Sequence, residues 1–404
     1  MGLKAYLKDS LLLSAYRRIR QCLGDIRRER QEKEKGRKKV ISLVPKGPSR
    51  GKALVSYIID GLLLEPGEQI PKTHTNIWQS VQIAKTFVEL GYEVDFIHYT
   101  NHSFVPRENY SFFVDVRHNL QRLAPLLNED CIKIMHIDHA HILFHNAAEA
   151  GRLLALQQRR GITLRPRRFE MPNLGIEHAD VATTSGNDFT INTFAYAKKK
   201  IFKLPVPCGI MHDLPARDYD KIRNHFLWFS SSAPVHKGLD LALDAFKDMP
   251  DCHLTVCGPV ERDADFVNAY HEELYKTANI DAIGWVPLDS DAFKEVTASC
   301  VAVLHLSCSE GGGASVKMCL HTGLIPVVSY ESSIDADDFG FVLRECSLST
   351  IKNTIRHISL LPANQLEDRC RQSWEYARRH HTRENFTSTY RRVITEIMED
   401  TQRN

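Results

Sequence analysis

The stretch Leu304–Ser329, LHLSCSEGGGASVKMCLHTGLIPVVS, decides the reading of this chain. Val301–Leu306 is a short apolar run, the pattern of a parallel strand buried on both faces. Ser309-Glu310-Gly311-Gly312-Gly313 cannot extend that strand, because three glycines free the backbone to turn tightly. Ala314–His321 has room for two helical turns, Gly323 supplies a stop, and Ile325-Pro326-Val327-Val328 starts the next strand. A glycine loop that opens a helix presents unpaired N–H groups, which suit an anion such as a diphosphate. The same residues also make an ordinary strand-to-helix turn, so the loop alone leaves both readings open. Glu310 stands on the lip of the loop, where its carboxylate can accept hydrogen bonds from hydroxyls.

Outward from this stretch the pattern repeats. The 404 residues suffice for two or three domains, and 43% hydrophobic with 25% charged residues is ordinary for a globular chain. Ala53–Ile59 reads as a buried strand, His74–Leu90 as a helix closed by Gly91, and Tyr92–His98 as a strand. Further strands are predicted over Cys131–Ile137, Ala179–Ser185 and Ile201–Val206, with helices over Leu120–Leu127, Asn146–Arg159 and Phe189–Ala197. A second series begins at Phe226–Ser230 and runs through His253–Cys257 and Ile280–Val286 to the opening stretch. Helices are expected near 350–361 and 365–380 and over Phe386–Met398. Alternating strands and helices predict an α/β chain of two tandem Rossmann-like, doubly wound domains with a cleft between them. The expected divisions are 1–49, a basic amphipathic extension and linker; 50–215, the first domain; 216–375, the second; and 376–404, a C-terminal helix returning to the first.

Charge is uneven. Residues 1–39 hold thirteen Lys/Arg against five Asp/Glu, a net of +8, which leaves about −6 for the rest of a chain whose total is +2. The folded body therefore lacks a nucleic-acid signature. Leu12, Tyr16, Ile19, Leu23 and Ile26 recur at helical spacing, with arginines opposite. This basic helix, read over residues 3–28, suits an anionic membrane surface met through residues 3–30, or equally a solvated or partner-packed extension. No apolar run approaches a membrane span, and no signal peptide is evident. Ten cysteines without a C-x-x-C pair, several in apolar runs, predict a reducing, cytoplasmic setting rather than disulfides or zinc.

These residues resemble the retaining, nucleotide-sugar-dependent glycosyltransferases of the large "group 1" family, which have the GT-B fold. The resemblance covers roughly 50–400. It is carried by His236-Lys237-Gly238-Leu239-Asp240-Leu241, Leu254–Gly258, Ile283-Gly284-Trp285-Val286, Ser309-Glu310-Gly311, and Gly323 with Pro326-Val327-Val328. It implies transfer of a sugar from a nucleotide-sugar donor to a glycan or lipid-linked acceptor with retained anomeric configuration, in cell-surface polysaccharide synthesis. It implies no catalytic metal or other cofactor. Lys237 matches the family's phosphate lysine and Glu310 the glutamate on donor-sugar hydroxyls. Gly312, Gly313, Ala314 and Ser315 would hold the diphosphate, Gly61 would let the first domain close over it, and Trp285, Val286 and Pro287 would flank the base. Asp138 or His139, within His136–His141, would contact the reacting end of the donor. Those histidines, with His145, resemble a metal set only loosely. Four Asp-x-Asp pairs, at 218/220, 263/265, 289/291 and 335/337, fit helix capping better than metal binding.

Two positions depart from the family pattern. Met318 stands where a second glutamate would contact ribose, and Ser232 where an arginine would neutralise phosphate. Methionine accepts no useful bond from a ribose hydroxyl, and serine carries no charge. The alternative reading is a degenerate GT-B protein that serves as a binding or assembly subunit.

Overall fold

The computed structural model describes residues 34–403 except 66 and 337. The predicted helix over 3–28 lies outside the described residues. Two α/β domains follow, each built on a parallel sheet. The first sheet contains β1 (Val40–Leu43), β2 (Lys52–Tyr57), β3 (Glu93–His98), β4 (Phe112–Asp115), β5 (Ile132–Ile137), β6 (Val181–Thr184) and β7 (Lys200–Lys203). Their order is β1-β3-β2-β4-β5-β6-β7, parallel from β3 to β7. The second contains β8 (His225–Phe229), β9 (His253–Cys257), β10 (Ile280–Gly284), β11 (Ala302–His305), β12 (Ile325–Ser329) and β13 (Phe341–Leu343). It runs β10-β9-β8-β11-β12-β13, all parallel. In chain order this is 3-2-1-4-5-6, so the connections reverse direction between β8 and β11, and ligands of such sheets bind beyond the strand ends at that reversal.

Three strands were absent from the sequence reading. β1 lies in the stretch read as linker; it pairs antiparallel with β3, Val40 opposite Ile97, on an open edge. Its residues are half-buried at best, and the charge run before it obscured a four-residue alternation. β4 is fully buried but only four residues long, and β13 only three. Runs that short carry almost no periodicity.

The domains share elements. The helix Ala363–His380 stays with the second domain, where Leu366 and Cys370 lie in its core. The chain then crosses back at His381–Thr382, and the helix Arg383–Arg403 buries Phe386, Tyr390, Val393, Ile394 and Ile397 in the core of the first. Conversely, the helix Ile142–Arg160 leaves the first sheet and seats Leu156 in the second domain's core. Its last turn carries Arg159 and Arg160. Arg159 bonds Asp240 at 2.7 Å and Asp244 at 2.6 Å, and Arg160 bonds Asp244 at 2.5 Å. Asp240 and Asp244 are buried and sit one turn apart on the helix Leu239–Phe246. Among the described residues no helix is long and apolar enough to cross a membrane.

Phe386 stacks on Tyr390, with centroids 5.7 Å apart, and meets Trp78 edge-on. Among the described residues, the buried Tyr390 hydroxyl has no hydrogen-bond partner. Phe386→Ala is therefore expected to cost about 3–5 kcal/mol in denaturant unfolding, whereas Tyr390→Phe should be neutral or stabilising by up to about 1 kcal/mol, since it removes an unsatisfied group. A Tyr390→Phe loss as large as that of Phe386→Ala would contradict this packing.

Candidate functional site

The loops after β8 and β11 meet where the second sheet reverses, and the loops after β5 and β6 face them from the first. Glu310 is the centre. Its Oε1 pairs with Lys237 Nζ, accepts from Ser307 Oγ at 2.8 Å, and lies 3.6 Å from His305 Nε2. All three contacts fall on Oε1, so Oε2 is the oxygen available to a ligand. Burial alone would raise the Glu310 carboxyl; Lys237 and His305 outweigh it and hold the group well below the ordinary carboxylate range. The peptide is fixed too: Glu310 N donates to Glu331 O at 3.0 Å, and Glu310 O accepts from Thr190 Oγ1 at 3.0 Å.

The glycines after Glu310 are required by contact with the other domain. A Cβ on Gly311 would lie 2.4 Å from the Asp138 carbonyl oxygen, and one on Gly312, at φ 140°, 2.7 Å from that of Ser185. Either approach is far inside contact distance, so only glycine lets the two backbones meet. Beyond them, Asn187 N donates to Ser333 Oγ at 2.8 Å and Asn187 Nδ2 to Asp335 Oδ1 at 2.9 Å.

A cavity of about 190 Å³ opens between the domains, walled by Glu310, Gly311, Gly312, Gly313 and Ala314 on one side and Tyr57, Gln79, Arg117, His136, Asp138 and Ser185 on the other, with Arg168 above. Asp138 is bound by Arg117 through Nη2 at 2.8 Å and Nε at 3.3 Å, and Arg117 also holds Glu170 at 2.7 Å. Burial would push the Asp138 carboxyl up; Arg117, His139 and His136 together hold it at about 2. Burial lowers His136 to about 4. A second space of about 430 Å³ adjoins the first through Thr75, Asn76 and Ala314. Phe229, Trp285, Leu288, Ser315 and Met318 line one side, with Asp60, His74 and Tyr99 opposite. Trp285 is 42% exposed and stacks on Phe229 at 5.7 Å.

Behind the glycine loop lies a buried cluster. Glu149 Oε1 accepts from the backbone of Arg167 at 2.5 Å and Arg168 at 2.9 Å, and its Oε2 lies 3.2 Å from His236 Nδ1. His236 Nε2 meets Ser309 O at 2.8 Å, while His145 joins Ser309 Oγ at 3.0 Å to Arg168 O at 2.7 Å. His145, Glu149 and His236 offer three potential metal-ligand atoms within 4.8 Å of one another. Each of those atoms already has a hydrogen-bond partner. The group reads as an interdomain hydrogen-bond network.

Of the residues anticipated from sequence, Glu310, Gly312, Gly313, Ala314 and Asp138 line the smaller cavity and Ser315 the larger space. Lys237 reaches the cavity only through Glu310. Four are placed elsewhere. Ser232 is exposed, and its neighbour Ser231 lines the larger space. Val286 is in the core, and Trp285 takes the wall. Gly61 packs against the helix Thr75–Glu89, where a Cβ would meet Val81 at 2.7 Å. His139 is buried, its Nδ1 bonded to Ala140 O at 2.6 Å. Arg117 and Arg168 were not anticipated; no local motif marks them, and only tertiary folding brings them to the cavity.

Neither a protein-family profile nor a curated protein matches the sequence. Solved structures do resemble the fold. Sucrose-phosphate synthase from Thermosynechococcus elongatus superposes with a TM-score of 0.59 at 12% identity, over 87% of this chain and 100% of that one. Anabaena HepE, solved with UDP and glucose, gives 0.52 at 12% identity, over 86% and 99%. The fold is GT-B. The chain spans 57% of the length of S. aureus TarM, solved with UDP among its ligands, at 12% identity over 72% of this chain and a TM-score of 0.48.

Gly311→Ala is expected to force the domains apart, raising the radius of gyration in solution scattering while circular dichroism stays unchanged. An unchanged radius would count against the close approach. Asp138 makes a second prediction. Its folded value of about 2 lies below the ordinary ~3.9, so its stabilisation is present above about pH 4 and lost as pH falls towards 2. Unfolding free energies from denaturant titration across that window should fall more steeply for wild type than for Asp138→Asn, by an amount on the order of 2 kcal/mol; parallel curves would refute it.

Proposed function

We propose that this protein is a retaining glycosyltransferase that moves a sugar from a nucleotide-sugar donor to a glycan or lipid-linked acceptor. The observation that carries the reading is Glu310, held by Lys237 and Ser307 on a glycine loop that floors an interdomain cavity. That cavity adjoins a larger space with an aromatic wall at Trp285, suited to a base. The GT-B fold and the presence of UDP in the HepE structure agree with such a donor.

In the proposed reaction the bond from the anomeric carbon to the diphosphate breaks and one to the acceptor oxygen forms. Glu310 Oε2 accepts from donor-sugar hydroxyls and orients the sugar. In the proposed scheme the acceptor proton passes to the leaving phosphate oxygen, and attack from the leaving-group side gives retention. Arg168 on the cavity wall supplies positive charge on that side, Lys237 holds Glu310 in place, and the scheme calls for no metal. The reaction belongs in cell-surface polysaccharide synthesis on the cytoplasmic side, with residues 3–30 resting on an anionic membrane face.

A binding-only role is the second reading. Met318 is buried in the wall of the larger space, where it offers ribose no strong acceptor. Hydrolysis and transfer assays with UDP-, GDP-, ADP- and CMP-sugars separate the two. Turnover is expected with at least one donor, with a fall of about 100-fold or more in Glu310→Gln at unchanged melting temperature. The anomer formed, read by NMR, tests retention. Binding without turnover would favour the second reading, and neither binding nor turnover would remove both.

A further inference from the structure

The charged side chains on the 190 Å³ cavity, among the described residues, are Arg117, Asp138, Arg168 and Glu310. Three are already paired. Arg117 is shared by Asp138 and Glu170, and Glu310 is held by Lys237. The Arg168 guanidinium has no hydrogen bond or ion pair among the described residues, and its Nε is buried without a partner. A buried guanidinium nitrogen without an acceptor is costly, and an anion in the cavity would relieve that cost.

The backbone of Arg168 is built in. Its N–H is held by Glu149 and its carbonyl by His145, and those two side chains reach across the interface to His236 and to Ser309, the residue before Glu310. Position 232, where the family pattern places an arginine, is an exposed serine in this chain.

We propose that Arg168, from the first domain, is the diphosphate-binding residue of this cavity and supplies the charge that position 232 lacks. The inference rests on the glycosyltransferase reading for the identity of the anion, a nucleoside diphosphate. A guanidinium matches two phosphate oxygens at once, which a lysine cannot do. His145 and Glu149 are positioning residues that hold Arg168 in register with the glycine loop.

The test is calorimetric titration of the full chain with UDP, GDP, ADP, CDP, the matching nucleosides and inorganic pyrophosphate. Wild type, Arg168→Ala, Arg168→Gln and Arg168→Lys are compared, and the variants that retain the wild-type melting profile are read. Removal of the guanidinium should weaken the preferred diphosphate and pyrophosphate at least tenfold while nucleoside affinity moves less than twofold; lysine should restore only part. Diphosphate affinity within twofold of wild type in Arg168→Ala or Arg168→Gln overturns the inference and leaves the glycosyltransferase reading standing. Pyrophosphate binding that depends on Arg168, with no nucleotide bound, does the reverse. A wild-type protein that binds neither overturns both.

Discussion

The backbone of Gly311 and Gly312 lies against the carbonyls of Asp138 and Ser185, and the rest of the site depends on that approach. Because no side chain intervenes, loops from two separately folded sheets come close enough to share a cavity of about 190 Å³. Thr190, Asn187, Ser333 and Asp335 then stitch the rim with direct bonds. Asn187, Ser333 and Asp335 lie on loops that follow strands, and Thr190 on the short helix Asp188–Thr193 next to them.

The helix Ile142–Arg160 carries the same constraint into the second domain. One end places His145 and Glu149 beside the glycine loop, and the other grips Asp240 and Asp244 through Arg159 and Arg160. Paired charges at such an interface contribute more to orientation than to net stability, because desolvation offsets much of their attraction. The buried apolar contact of Leu156 supplies the non-directional part of the same joint.

Much of this was legible in the sequence. The β11–loop–helix–β12 unit follows directly from an apolar run, three glycines and Gly323, and the alternation of elements gave both sheets. What stayed hidden has specific causes. β4 and β13 are too short for periodicity, and β1 is masked by its charged neighbours. Glu310 stood out because it adjoins a motif. Arg117 and Arg168 did not, because their importance lies in contacts across tens of residues, such as Arg117 with Asp138 and Glu170. Of the residues that the resemblance set beside the base, Trp285 lines the larger space and Val286 is buried in the core, a difference between neighbours that only the folded backbone decides.

Two chain crossings between the domains lie side by side: Val206 N donates to His381 Nδ1 at 3.2 Å, joining the segment after β7 to the return at His381–Thr382. Leu156, seated in the second core, and the Asn187–Ser333 bond at the rim fasten the same two bodies at separate points. Like a panel screwed down along more than one edge, the cleft has its width set by the fold itself.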